Sequence, residues 1–381
     1  MSIEIRQHTP GKDLSDFLRV PYEILGDDPN WVPALDLMMR DMLTPAKNPF
    51  FQHADVALFT ARRDGKLAGR ISAQVDREHL KRYQDATGYF GFFDTIDDDR
   101  VGQALVAAAK NWLANKGIKR MRGPLSLSIN EEVGTLVDGF DSPNVLFMGH
   151  HLPYQDRVAS AAGLEKAKDL FAFRWEMGSL PKRAQRAHDQ IMSYPEVRIR
   201  EAEFGKEIRE LIAIQDDAWR HNWGHVSMTE AEAAQFASDL ALLLDKRIAL
   251  VAEINGELAA ICLAVPNLNE VIRDFRGKLL PLGLPKLIWR LKIKRPKSGR
   301  LVLLGIKEEY RKQKRYGFLA MALVAEIAER GRKAGYEWGE LSWTLEDNTP
   351  VNLLIKACGG KHYKTYRVYE ADVTNGVGPL Q

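Results

Sequence analysis

The chain is predicted to be a mixed-sheet α/β (α+β) protein built of two like domains in tandem, and three observations predict it. A strand-turn-strand pattern occurs twice, around Asp64-Gly65 and around Asn255-Gly256. Each copy is followed in the same order by an amphipathic helix ending at a glycine, a strand, a further helix and a closing strand. The third observation is length: 381 residues exceed what one hydrophobic core usually organises. A repeated hairpin alone would say little, but an ordered series of matching elements is hard to reach by chance.

The elements follow in order. Val56 to Ile71 reads as two strands around the Asp-Gly turn, and Ile248 to Cys262 repeats it around Asn-Gly. Asp, Asn and Gly tolerate the positive φ that a two-residue hairpin needs. Amphipathic helices are predicted over Val101–Lys116, ending at Gly117, and over Gly317–Ala334, ending at Gly335. Strands follow at Lys119–Leu127 and Trp338–Leu345. The closing pieces match as Ala161-Ala162-Gly163-Leu164 and Ala357-Cys358-Gly359-Gly360, which places the boundary near Gly178 to Pro181 and the domains at 1–178 and 179–381.

Composition narrows the class. Hydrophobic residues at 45% and charged residues at 28% suffice for packed cores and argue against disorder. Met1 to Val20 lacks the apolar run of a secretory signal, and no stretch is apolar for long enough to span a bilayer, so a cytoplasmic location is expected. Cys262 and Cys358 lie far apart without metal-ligand spacing, which fits a reducing compartment and predicts no disulfide or zinc. His150-His151 point in different directions on any regular element, so no metal is expected there. Met38, Met39 and Met42 read as core fillers.

A net charge of +3 does not argue for nucleic acid, but positive charge is concentrated in an inserted segment, 273–299. There Arg273, Arg276, Lys278, Lys286, Arg290, Lys292, Lys294, Arg295 and Lys297 face the single acid Asp274, interleaved with Leu, Ile and Trp. Such a segment can rest on an anionic membrane surface, making the protein membrane-peripheral through 273–297. It can equally be a folded insertion covering the core, since Pro281, Pro285 and Pro296 limit helix length. Phe275 and Trp289 are its only stacking side chains, so nucleic acid is not an expected partner.

In the second half, the apolar strand Arg300–Ile306 leads through Lys307-Glu308-Glu309-Tyr310-Arg311 and a basic turn into the long helix. Glu340 to Asn348 forms a strand ending at an asparagine, followed at the right spacing by Gly359-Gly360. On these residues the second half resembles the GNAT superfamily of acyl-CoA N-acyltransferases, and through the repeat the whole resembles a tandem GNAT protein. The resemblance implies a coenzyme A loop in which a helix N-terminus and nearby cations hold the diphosphate. The implied loop residues are Arg311, Lys312, Lys314, Arg315, Tyr316 and Gly317, preceded by Leu304 and Ile306, with the helix expected to begin near Tyr316. Laying the superfamily pattern R-x-x-G-x-G/A on Arg311 puts Lys314 in a glycine position, laying it on Arg315 puts Phe318 there with Ala320 last, and the same run can also be read as a solvated surface turn. The corresponding junction of the first half, Asp97-Asp98-Asp99-Arg100, repels a diphosphate. The first domain is therefore expected not to bind coenzyme A, and to supply a wall of the acceptor site or only packing.

Acyl transfer to an amine needs a base, donors for developing negative charge and an acid for the leaving thiolate. Strand alternation places Glu340, Ser342 and Thr344 on one face, which makes Glu340 the first candidate base and Glu346 the second. Asn348 is a site residue and a natural N-cap. Where the superfamily usually places a tyrosine acid, this chain has Ile355, so Tyr363 or Tyr366 is a possible substitute. Trp219, Asn222 and Trp223 fall where such folds build acceptor loops, and Asn130 with Glu131 forms a second polar stretch; each also reads as core capping or loop structure. The implied activity is transfer from acetyl-CoA or a longer acyl-CoA to a small-molecule or lipid-like amine. Similar tandem GNAT proteins in bacteria include acyltransferases of long-chain amines, among them ceramide-forming enzymes. The alternatives are a non-catalytic tandem-GNAT binding or scaffold protein and an aminoacyl-tRNA-dependent aminoacyltransferase.

Overall fold

In the computed structural model, which describes residues 2–279 and 283–373, both hairpin turns form as their residues require. Asp64 and Gly65 have φ of 49° and 80°, and Asn255 and Gly256 of 54° and 83°. Positive φ at both central positions matches the twist of the flanking strands.

The strands are β1 (Ile3–His8), β2 (Ala54–Arg63), β3 (Lys66–Asp76), β4 (Thr87–Thr95), β5 (Arg120–Gly123), β6 (Thr135–Asp138) and β7 (Glu165–Glu176), then β8 (Val197–Glu201), β9 (Ala249–Ile254), β10 (Glu257–Pro266), β11 (Ser298–Ile306), β12 (Trp338–Leu345) and β13 (Lys361–Asp372). They fall into two compact units that are not the two halves of the chain. One contains Met1–Leu170, Ile272–Leu284 and Lys364–Gln381; the other contains Phe171–Val271 and Pro285–Tyr363.

In the first unit β1 to β5 lie in sequence order, and β5 pairs next with β13, Tyr369 opposite Gly123 and Asp372 opposite Arg120. In the second unit the order is β8, β9, β10, β11, β12, then β7. Met177, just past β7, donates its N–H to the Glu337 carbonyl beside β12 (2.8 Å). From Phe171 and from Lys364 onward, each closing strand therefore lies in the unit formed mainly by the other half, and the units depart from a division at 178/179. Pairing is non-local, and no local signal at Gly178 to Pro181 records which sheet edge a strand will meet.

Each unit packs its long helix on its sheet. In the first, Val101, Leu105 and Leu113 share a core with Ile71, Phe90 and the C-terminal residues Tyr369 and Val373. In the second, Leu319, Leu323 and Ile327 share one with Leu250, Cys262 and Ile191. Cys262 and Cys358 are free and buried, and burial pushes the Cys358 thiol up to about 11.

Several expectations shift. The first helix spans Asp99–Ala114 and the second Leu319–Ala334, beginning three residues beyond Tyr316. The strand expected over Lys119–Leu127 ends at Gly123, since Pro124 has no N–H to continue a ladder. Met39 and Met42 pack on a core cluster, but Met38 is 43% exposed and fills no gap. His150 Nε2 lies 3.0 Å from Asp28, whereas His151 Nδ1 accepts from the Leu136 N–H (3.0 Å), so the two rings serve different partners.

The basic insertion begins as a tethered segment. Gly277 accepts from the Asp36 N–H (2.8 Å), and a Cβ there would stand 1.8 Å from the Tyr22 hydroxyl. Phe275 is buried. A short helix, Gly283–Trp289, then continues into a wider turn over Arg290–Lys294. Leu280, Pro281 and Leu282 lie outside the described residues. No described helix is long and apolar enough to cross a membrane.

Candidate active site

The parallel pair β11 and β12 is in register only from Ser298 opposite Trp338 to Leu301 opposite Leu341. Beyond that point the strands run on to Ile306 and Leu345 without pairing, so main-chain groups on both flank a gap. The first unit treats its own parallel pair differently. β4 and β5 pair up to Tyr89 opposite Arg122, and the chain beyond Gly123 then stays on β4. Leu125 N–H donates to the Phe90 carbonyl (2.7 Å), and the Gln74 amide donates to the carbonyls of Leu125 and Leu127 (2.7 and 3.3 Å). A Cβ on Gly91 would sit 2.0 Å from the Leu125 carbonyl oxygen. That gap is filled by protein. Asn130 and Glu131, half-buried in the loop that follows, belong to this first unit.

The helix beside each gap differs in the same sense. Asp98 caps Asp99–Ala114, accepting from the Arg100 N–H (3.0 Å), while Arg157 bridges Asp97 and Asp99. Phe318, at the corresponding position of Leu319–Ala334, supplies no side-chain cap. The first N–H groups of a helix have no partner within it, and here no side chain takes them up at the N-cap.

The cations expected there are partly engaged by the protein itself. Arg315 pairs with Glu196 (2.6 Å) and lies 4.2 Å over the Tyr194 ring. Arg311 donates to the Ala218 carbonyl (3.0 Å), closing the C-terminal end of helix Phe204–Trp219, and Lys312 pairs with Glu308 (2.7 Å). Lys312 and Lys314 are exposed. Tyr316 is a core residue whose hydroxyl donates to Glu196 (3.2 Å), and Gly317 has an ordinary right-handed φ of −58°. Leu304 and Ile306, on β11, are half-buried against the second core.

At the start of the gap is a buried polar cluster. Glu340 is 1% exposed and Arg300 is 4% exposed. The parallel register sets them side by side, and the Arg300 Nε lies 3.8 Å from a Glu340 carboxylate oxygen. Arg300 also donates to the Ser342 hydroxyl oxygen (3.0 Å) and to the Ser342 carbonyl (3.3 Å). Because Ser342 Oγ accepts from Arg300, its own hydrogen is directed to Glu340, to which it is bonded. The second Glu340 oxygen accepts from the Tyr363 hydroxyl, carried in by β13. A buried carboxylate persists only with such partners. Glu340 is thus interior to the sheet rather than on an exposed strand end, and half-buried Tyr363 is the member of the cluster with a surface open to solvent.

The other predicted residues take separate places. Glu346 lies in the turn after β12. Asn348 caps helix Thr349–Ala357, accepting from the Val351 N–H (3.4 Å). Ile355 is buried, and Tyr366 is fully buried in the first unit. Trp219 donates its indole N–H to the Leu304 carbonyl (3.1 Å), which brings it to the stretch of β11 that β12 has left. Its ring meets His225 edge-on at 6.4 Å, and His225 Nε2 is 3.3 Å from Asp216. Asn222 N–H turns back to the Trp219 carbonyl (2.8 Å), and Trp223 is half-buried. Sequence reasoning missed Arg300 and Asn352. The signal for Arg300 was a charge inside an apolar strand; Asn352, which accepts from Thr344 Oγ1 (2.6 Å) and donates to the Leu345 carbonyl (3.0 Å), carried none.

A half-paired parallel strand couple with a long helix beside it is the arrangement of the GNAT fold of N-acyltransferases, here in tandem. The fold agrees with that of solved structures. A tandem GNAT protein from the clavulanic acid biosynthesis pathway covers 100% of both chains with a TM-score of 0.59 at 12% identity. The GCN5-related N-acetyltransferase from Sphaerobacter thermophilus covers 99% of this chain and 98% of its own, with a TM-score of 0.54 at 14% identity. No family model matches the chain. At the level of sequence it is 40% identical to the bacterial ceramide synthase of Caulobacter vibrioides, over 94% of each chain. It is 35% identical to protein YghO of Escherichia coli strain K12, over 97% of this chain and 95% of that one. The chain belongs to the family of these two proteins.

Proposed function

We propose that this N-acyltransferase takes its acyl group from acyl-coenzyme A and delivers it to the amino group of a long-chain, lipid-like amine, in the cytoplasm. The observation that carries the reading is the contrast between the units: one parallel pair parts beyond Leu301 and Leu341 beside a helix without a side-chain cap, the other is bridged by main chain on β4 beside a helix capped by Asp98. An anionic diphosphate fits the first and is repelled by the second. The 40% identical relative is named a ceramide synthase, which supports a sphingoid-type amine as acceptor.

The residues present fit the group. The first-turn N–H groups from Leu319 would hold the diphosphate, with Lys312 and Lys314 adding positive charge. Bound there, an acyl thioester supplies an activated acyl carbon. Tyr363 Oη would take the proton of the attacking amine as its own proton passes to Glu340, and would return one to the departing thiolate by the same route. Arg300 and Ser342 keep the Glu340 carboxylate aimed at Tyr363.

The test is to incubate the purified chain with acetyl- or palmitoyl-coenzyme A and either sphinganine or a short diamine, following thiol release and amide mass. The expected result is a sphinganine amide. Detection of no amide and no retained coenzyme A would overturn the reading, and amide formed only from aminoacyl-tRNA would replace the donor.

A further inference from the structure

We infer that residues 284–295 form a docking face for anionic phospholipid, on observations that need nothing of the proposed reaction. Four large apolar side chains in this short stretch are open to solvent: Leu284 (46% exposed), Ile288 (54%), Trp289 (52%) and Ile293 (69%). Leu284, Ile288 and Ile293 recur near helical spacing, and Trp289 adjoins them, so the helix and the wider turn after it present one apolar strip. Elsewhere among the described residues, exposed large apolar side chains occur singly or as the pair Leu37 and Met38.

The charge carried by the segment itself is of one sign. Lys286, Lys292, Lys294 and Arg295 are exposed, and no Asp or Glu occurs from Gly283 to Lys297. Apolar side chains with a tryptophan, bordered by lysine and arginine, match the boundary between acyl chains and anionic headgroups. A nucleic acid would need stacking platforms, and among the described residues of the segment Trp289 is the only exposed aromatic side chain, since Phe275 is buried.

The strip is held rather than loose. The Arg290 guanidinium donates to the Val271 carbonyl (2.6 Å). At the far end, Glu270 accepts from the N–H groups of Lys297 and Ser298 (2.9 and 3.0 Å) and from the Ser298 hydroxyl (2.6 Å). A tethered element loses less freedom on docking than a free segment would.

Sedimentation of the full chain with sucrose-loaded vesicles tests the proposal. Vesicles containing phosphatidylglycerol should bind about tenfold or more tightly than phosphatidylcholine alone. Ile288→Ser with Ile293→Ser, and separately Lys292→Glu with Lys294→Glu, should each lower binding by about tenfold while the melting temperature stays unchanged, because all four side chains are exposed. Brominated acyl chains should quench Trp289, and the quenching should vanish in Trp289→Phe. No binding, equal binding by the isoleucine variants, or binding to an RNA oligonucleotide but not to vesicles would each overturn it.

Discussion

Glu340 is a carboxylate held inside the second unit. Its carboxylate is buried, yet Ser342 and Tyr363 donate to it and Arg300 stands close by. Glu340→Gln preserves shape and removes the charge. Amide formation at saturating substrate should then fall by roughly 10²- to 10⁴-fold, and Tyr363→Phe should lower it comparably. Stability should separate the two variants: losing the Glu340 charge leaves Arg300 buried without its counter-ion, a cost of about 3–5 kcal/mol by denaturant unfolding, whereas Tyr363→Phe should cost far less. Unchanged turnover in Glu340→Gln would remove this residue from the chemistry.

Two helices of the second unit are joined by a titratable pair. His188, on Lys182–Met192, lies 2.8 Å from Glu326 on Leu319–Ala334. The hydrogen bond to Glu326 raises the His188 pKa above its ordinary 6.5. His188 and Arg330 hold the Glu326 carboxyl down at about 2, below its ordinary 4.5. The raised histidine stabilises fully below 6.5 and loses that contribution as pH rises through its folded value; the depressed carboxylate stabilises above 4.5 and loses its contribution as pH falls toward 2. Melting curves should therefore show the largest difference between the parent chain and His188→Gln between pH 4.5 and 6.5, shrinking at about pH 8. A gap that does not vary with pH would mean that the pair is not ionic. The uncapped helix allows a second test at this scale. Phe318→Asp should cap Leu319–Ala334 and gain about 1 kcal/mol, as Asp98 does for its counterpart. The same carboxylate should weaken coenzyme A binding, read by calorimetry, by about tenfold or more. Unaltered affinity would move the diphosphate elsewhere.

The exchanged closing strands make each unit draw on both halves of the chain. Tyr369 and Val373 are buried in the first unit's core, and β13 covers the edge of β5. A fragment ending at residue 178 therefore keeps most of its helices but lacks core side chains and leaves a sheet edge open. It should unfold without a cooperative transition or aggregate, and coexpression with 179–381 should restore a soluble complex. Independent cooperative folding of the fragment would contradict the division into units described above.

Much of this architecture was legible in the residues. The Asp-Gly and Asn-Gly turns required their hairpins, Gly335 ended its helix while the first helix stopped at Ala114, short of Gly117, and the contrast between Asp97 to Arg100 and Lys312 to Arg315 distinguished the two helix junctions. These are local matters of φ and of charge near a helix end, and neighbouring residues decide them. Only the tertiary structure placed Arg300 beside Glu340, brought Tyr363 to the same carboxylate and drew Arg311 and Arg315 to protein acceptors. It also assigned the closing strands to opposite units. Each depends on strand register or on burial between residues far apart in the chain, and a sequence records such pairings only as ordinary polar residues in strands and turns.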